Sequence, residues 1–124
     1  MLQEGQVFAT IAVKDMAAAK DFYGGKLELK QVDENPGGVS YESGGSRLFI
    51  YESGNAGTNK ATCASWEVDD IDAVVAQLKT KGLKFEHYDL PGSEVQGDIH
   101  VMGPFKAAWF KDPDGNILAV GNKM

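Results

Sequence analysis

The sequence predicts an α+β fold built from two β-α-β-β-β modules in tandem. Three observations carry this: a nine-residue segment recurs at a fixed offset, a helical pattern follows each copy, and three strand-like segments follow each helix. Phe8-Ala9-Thr10-Ile11-Ala12-Val13-Lys14-Asp15-Met16 aligns with Cys63-Ala64-Ser65-Trp66-Glu67-Val68-Asp69-Asp70-Ile71 at an offset of 55. Ala9 and Ala64, Val13 and Val68, and Asp15 and Asp70 are identical pairs. Repetition of this kind is the first signal to seek, because it sets the architecture.

The second helix is the clearer one. Asp70 is a good N-cap, and Ile71, Val74, Val75 and Leu78 recur at the spacing of one helical face. Lys79 and Lys81 fall in the last turn, where cations suit the helix dipole, and Gly82 is the expected stop. The first helix is expected from an Asp15 cap through Met16, Ala19 and Tyr23 to a stop at Gly24-Gly25.

Strands are expected at 28–34, 38–43 and 46–52 in the first module, separated by Asn35-Pro36-Gly37-Gly38 and Gly44-Gly45. In the second they are expected at 83–90, 105–111 and 116–121. Between the last two lies Asp112-Pro113-Asp114-Gly115-Asn116, which reads as a hairpin turn rather than a metal site. Its proline presets φ, its glycine takes positive φ, and its Asp and Asn side chains can bond nearby amides. The segment 91–104 breaks the symmetry. Its length suits a lid or binding loop, and an irregular strand from Ile99 to Met102 is the other reading.

The modules are placed at 1–53 and 61–124, with a polar, glycine-containing linker at 54–60. Halves of about 60 residues are marginal alone, so a single domain is expected. Twelve basic and 18 acidic residues give a net charge of −6. Nucleic acid is a poor partner for such a chain, because phosphate binding needs clustered cations. No apolar run is long enough for a membrane span, the N-terminus lacks the features of a secretion signal, and a cytoplasmic location is expected. The one cysteine, Cys63, supports neither an internal disulfide nor a cysteine-based zinc set.

The paired modules, with Val13-Lys14-Asp15-Met16 opening the first helix, Asp21-Phe22-Tyr23 within it, and Phe110-Lys111-Asp112-Pro113-Asp114-Gly115-Asn116 near the end, resemble the vicinal oxygen chelate superfamily. That superfamily includes glyoxalase I, bleomycin-resistance proteins, fosfomycin-resistance enzymes and extradiol dioxygenases. The resemblance implies curved mixed sheets around a cleft, with helices on the outer faces, and a homodimer.

It also implies four metal-ligand positions. Carried onto this sequence they fall on Phe8, Ile50, Cys63 and Ala119, the second resting on an alignment of 47–51 with 116–120 that a slip would move to Glu52. Catalytic divalent ions need several imidazole or carboxylate donors. Phe, Ile and Ala have none, so no metal and no cofactor is expected, which argues against the metal-dependent activities of the superfamily.

Strand alternation then sorts a ligand pocket. Phe8, Thr10, Cys63, Ser65 and Glu67 share the cleft parity of the two first strands, Ile50 and Glu52 are assigned to it on one end strand, and Ala119 on the other. The resemblance puts the substrate-contacting position on Trp109, and His100 and Met102 would close the pocket if 91–104 is a lid. The leading expectation is a metal-free protein that binds a neutral or cationic small organic ligand, with sequestration, as in bleomycin-resistance proteins, as the expected use. The alternatives are a lyase, an isomerase or a dioxygenase-like enzyme, using Glu67 or Glu52 as general base or a relocated metal site such as Glu52 with His100.

Overall fold

A computed structural model describes residues 1–123, and the chain divides between Thr58 and Asn59 into two units. The division falls inside the expected linker.

The first unit carries β1 (Ala9–Val13), α1 (Met16–Lys20), β2 (Lys30–Asn35), β3 (Gly38–Ser43) and β4 (Ser46–Glu52) in a sheet of order β1-β4-β3-β2. β1 and β4 are parallel, with Ile11 opposite Ile50, and the other neighbours are antiparallel. Asp15 caps α1 as expected, its Oδ1 accepting the Ala17 and Ala18 N–H groups at 2.9 and 3.4 Å. Glu52 Oε2 accepts a further orphan donor, the Met16 N–H, at 3.2 Å.

The helix does not stop at Gly24-Gly25. It widens into a π-helical turn over Asp21–Lys26, closed by the Leu27 N–H on the Phe22 carbonyl at 2.9 Å. The wide turn buries both Phe22 and Tyr23. Gly24 lies within this turn and beside the Tyr41 ring, so it does not terminate the helix. Tyr23 and Tyr41 meet with ring centroids 6.4 Å apart. The helix therefore covers the face bearing Tyr41, Leu48, Ile50, Ile11 and Val13, all buried. Each such aliphatic side chain contributes roughly 1.5–3 kcal/mol by leaving water.

The second unit carries β5 (Thr62–Val68), α2 (Ile71–Thr80), β6 (Phe85–Glu86), β7 (Glu94–Gln96), β8 (Ile99–Met102), β9 (Phe105–Lys111) and β10 (Ile117–Asn122). Its sheet runs β5-β10-β9-β8-β7, with β6 also on β9. Asp70 caps α2 through the Ala73 N–H at 3.1 Å, and Gly82, at φ +88°, follows the helix end as expected. Trp66, Ala108, Phe110, Leu118 and Val120 lie on the face that α2 covers, with Trp66 stacked on Phe110.

Two expectations change here. The strand expected at 83–90 shrinks to Phe85–Glu86, because β8 takes over the edge of β9 and the Tyr88 N–H turns to His100 Nε2 at 2.9 Å. The segment 91–104 is no lid. It folds as the β7–β8 hairpin and joins the sheet, so the strand reading of Ile99 to Met102 is the one observed.

The turn at 112–116 is a closed hydrogen-bond set, as expected. Asp112 Oδ1 accepts the Asp114 and Asn116 N–H groups at 3.0 and 2.9 Å, and Asp112 Oδ2 accepts Asn116 Nδ2–H at 2.8 Å. Gly115, at φ +89°, makes the reversal.

Candidate functional site

The face of the second sheet turned away from α2 carries a formed cavity. Cross-strand partners place Ser65, Ala119, Trp109, Gly121 and Ala107 on it, and Glu67 stands opposite Gly121. With Thr62 and Phe105 these line a cavity of about 320 Å3. The floor is made of small side chains, Ala107, Ala119 and Gly121. A Cβ on Gly121 would touch the Phe105 ring at 3.6 Å, so that ring lies beside the floor. Trp109 is held in place by its indole N–H, which donates to Thr62 Oγ1 at 3.0 Å. The expected pocket residues Ser65, Trp109 and Ala119 thus share one cavity with Glu67. Phe105 and Gly121 were missed, although continuing the two-residue alternation from Trp109 and Ala119 reaches both.

His100 and Met102 are on the same face as strand residues, opposite Ala107 and Phe105. His100 is completely buried, its ring edge-on to Trp109 with centroids 5.0 Å apart. Its Nε2 meets the Tyr88 backbone, while its Nδ1 and the Tyr88 hydroxyl are buried without a hydrogen-bond partner among the described residues. Burial pushes the Tyr88 phenol up from its ordinary value. Such orphaned polar atoms are rare in folded proteins.

Cys63 is half-buried in β5 and does not line the cavity. Burial, reinforced by the Asp112 charge, pushes its thiol up, so it stays protonated and is a poor nucleophile or metal ligand.

In the first unit, Phe8 is 50% exposed just ahead of β1, and Thr10 is exposed opposite Phe49. Ile50 does not belong to the open face. It is wholly buried opposite Ile11, on the helix-covered side. The reason is register. Ala9 pairs with Leu48 as Ala64 pairs with Leu118, so the counterpart of Ala119 is Phe49, one residue from the position expected. Phe49 and Tyr51 occupy the open face and stack at 6.3 Å with 11° between planes. Glu52 is likewise on the helix side, engaged with the Met16 N–H, which removes it from a general-base role at the open face.

The residues at the metal positions do not fit a metal. Phe8, Ala119 and either Ile50 or its corrected replacement Phe49 lack a donor atom, and the remaining thiol is held protonated. Among the described residues no group of three or more His, Cys, Asp or Glu side chains could hold an ion. Of the two residues considered for a relocated site, Glu52 Oε2 accepts the Met16 N–H and His100 Nε2 meets the Tyr88 backbone. Among the described residues no helix is long and apolar enough to cross a membrane.

Residues 5–120 match the family model described as Glyoxalase/Bleomycin resistance protein/Dioxygenase superfamily. The fold is similar to that of a glyoxalase family protein from Bacillus anthracis (17% identity, TM-score 0.72, covering 98% of this chain and 96% of that one). It is also similar to the fosfomycin resistance protein FosX from Listeria monocytogenes (14%, 0.73, 98% and 94%). A lactoylglutathione lyase from Agrobacterium tumefaciens is a third (18%, 0.69, 95% and 93%). No individually curated protein matches the sequence significantly. The duplicated β-α-β-β-β units, the closed turn at 112–116 and the match over nearly the whole chain lead to one assignment: the chain belongs to the Glyoxalase/Bleomycin resistance protein/Dioxygenase superfamily.

Proposed function

We propose that this protein is a metal-free member of its superfamily that binds a small organic molecule on the open face of the second sheet. Sequestration of that molecule is its use, and a homodimer its working form. The observation that carries the reading is the pairing of a donor-poor metal position with a formed cavity: Ala119, where a ligand would stand, is instead part of a small-residue floor beside Trp109. A wall of aromatic and small side chains with few polar groups suits shape-selective binding of an organic ligand.

The test has two arms. Thermal unfolding is followed with zinc, nickel, manganese or ferrous ion added, and with a panel of drug-like and metabolite molecules. The expected result is no shift with any metal and a shift with at least one organic compound that Trp109→Leu abolishes. Stoichiometric, tight metal binding overturns the metal-free assignment.

One observation favours a second reading, a metal-independent lyase or isomerase. Glu67 is the carboxylate lining the cavity, in position to act as a general base. Turnover that is lost in Glu67→Gln while ligand binding persists would establish it.

A further inference from the structure

We infer that the ligand is a flat ring system carrying a positive charge, seated on Ala107, Ala119 and Gly121 between Trp109 and Phe105, with its charge toward Glu67. This rests on the proposed ligand-binding role of the same face and specifies the ligand's chemical class.

Shape comes first. Ala107 and Gly121 are direct cross-strand partners, and Ala119 adjoins them opposite Trp109. Three such positions in a row leave the sheet surface bare, whereas the corresponding positions of the first unit are filled by the stacked Phe49 and Tyr51. Trp109 is tied at one end by its bond to Thr62, and the Phe105 ring lies at the other, where a Cβ on Gly121 would meet it at 3.6 Å. A volume of about 320 Å3 is at the small end for ligand sites, which run from about 300 to 1,000 Å3. Flat floor, flanking aromatic rings and small volume together select two or three fused rings over a bulky or flexible chain.

Charge comes second. Of the polar side chains around the floor two are committed, Thr62 Oγ1 to the indole, and Asn122 through Oδ1 to the Lys106 N–H at 2.8 Å and Nδ2 to the Pro104 carbonyl at 2.9 Å, while Ser65 offers a single hydroxyl. Glu67 has no hydrogen bond or ion pair among the described residues. Lys123, the cation that feels its charge, is paired with Asp69 Oδ1 at 2.8 Å. The rim therefore keeps a net negative charge, in a chain whose total is −6. A carboxylate and an electron-rich indole face both attract a cation, while an anion meets neither a donor cluster nor a free cation. A neutral ring would fill the slot and leave Glu67 unused.

The test compares N-methylacridinium with acridine at pH 8, where the second is uncharged and the ring system is the same. Calorimetry gives affinity, and quenching of Trp109 is read in a Trp66→Phe background, since Trp66 is on the helix-covered side. The cation is expected to bind one to one about tenfold more tightly than the neutral ring. Glu67→Gln should erase that preference while leaving acridine affinity within about twofold, and Glu34→Gln, in the other unit, should change nothing. Ala119→Leu should remove binding of both, with Trp109→Leu as the second variant if the first fails to fold. Equal or tighter binding of acridine overturns the cation assignment and leaves the small-molecule role standing. Failure of both probes overturns it too, and only failure of the whole compound panel overturns the binding role itself.

Discussion

His100 stands edge-on to Trp109, ring centroids 5.0 Å apart and planes at 87°, with Tyr88 edge-on to the same indole at 5.6 Å. Three rings thus brace the wall of the cavity, and two of them bring polar atoms into a dry environment. The Tyr88 hydroxyl is the less useful of the two, having no partner among the described residues. Removing an unsatisfied buried hydroxyl relieves a desolvation cost, so Tyr88→Phe is expected to stabilise the protein by about 1 kcal/mol in urea unfolding. A loss of stability of that size would mean that the hydroxyl is bonded in solution.

Glu52 offers a test that separates structure from chemistry. Because its carboxylate accepts the Met16 N–H at the start of α1, Glu52→Ala should cost about 0.5–1 kcal/mol of stability. Ligand affinity should stay unchanged. A selective fall in binding or turnover without a stability change would return Glu52 to the site.

Asp112 is almost wholly buried, and its two oxygens accept three hydrogen bonds within the 112–116 turn. Asp112→Ala strands these donors and is expected to cost about 3 kcal/mol, read as a fall in the unfolding midpoint. A change below about 1 kcal/mol would show that the turn is held by its backbone alone.

Acid should expose Asp98. Hydrogen bonds from Lys79 at 2.6 Å and then His87 at 2.8 Å hold its carboxyl below the ordinary value of 3.8. A group depressed in the folded state stabilises above its unfolded value, and that contribution is lost as pH falls through the lower folded value. Stability measured from pH 5 down to pH 2 should therefore fall less steeply in Asp98→Asn than in the parent chain. Parallel profiles would refute the pairing in solution.

The duplicated plan was legible because it is local. Asp15 and Asp70 announce their caps, the spacing of Ile71, Val74, Val75 and Leu78 announces α2, and the turn at 112–116 is written in residues that bond one another. Trp109 and Ala119 were singled out by the family resemblance, and the regular antiparallel pairing of β9 with β10 sets them opposite each other on one face. Ile50 was misplaced, because a parallel strand's register depends on a partner some forty residues away. β10 also carries an irregularity between Ile117 and Leu118 that β4 lacks, which defeats a direct comparison of the two end strands. The π-helical turn was hidden for a similar reason: Gly24-Gly25 looks like a stop until Phe22 and Tyr23 are known to be buried by tertiary packing. His100 could not be placed while 91–104 had no known partner, and only pairing with Phe105–Lys111 turns a loop into a wall.

The two units carry equivalent sheet surfaces that differ in what fills them. The copy that stacks Phe49 on Tyr51 has plugged its own surface with bulk. On the proposed reading recognition falls to the other unit, where single-methyl changes at Ala107, Ala119 or Gly121 would redraw the outline of what can dock. New specificities should arise there by small steps, while the plugged half tolerates the change because its own core is untouched.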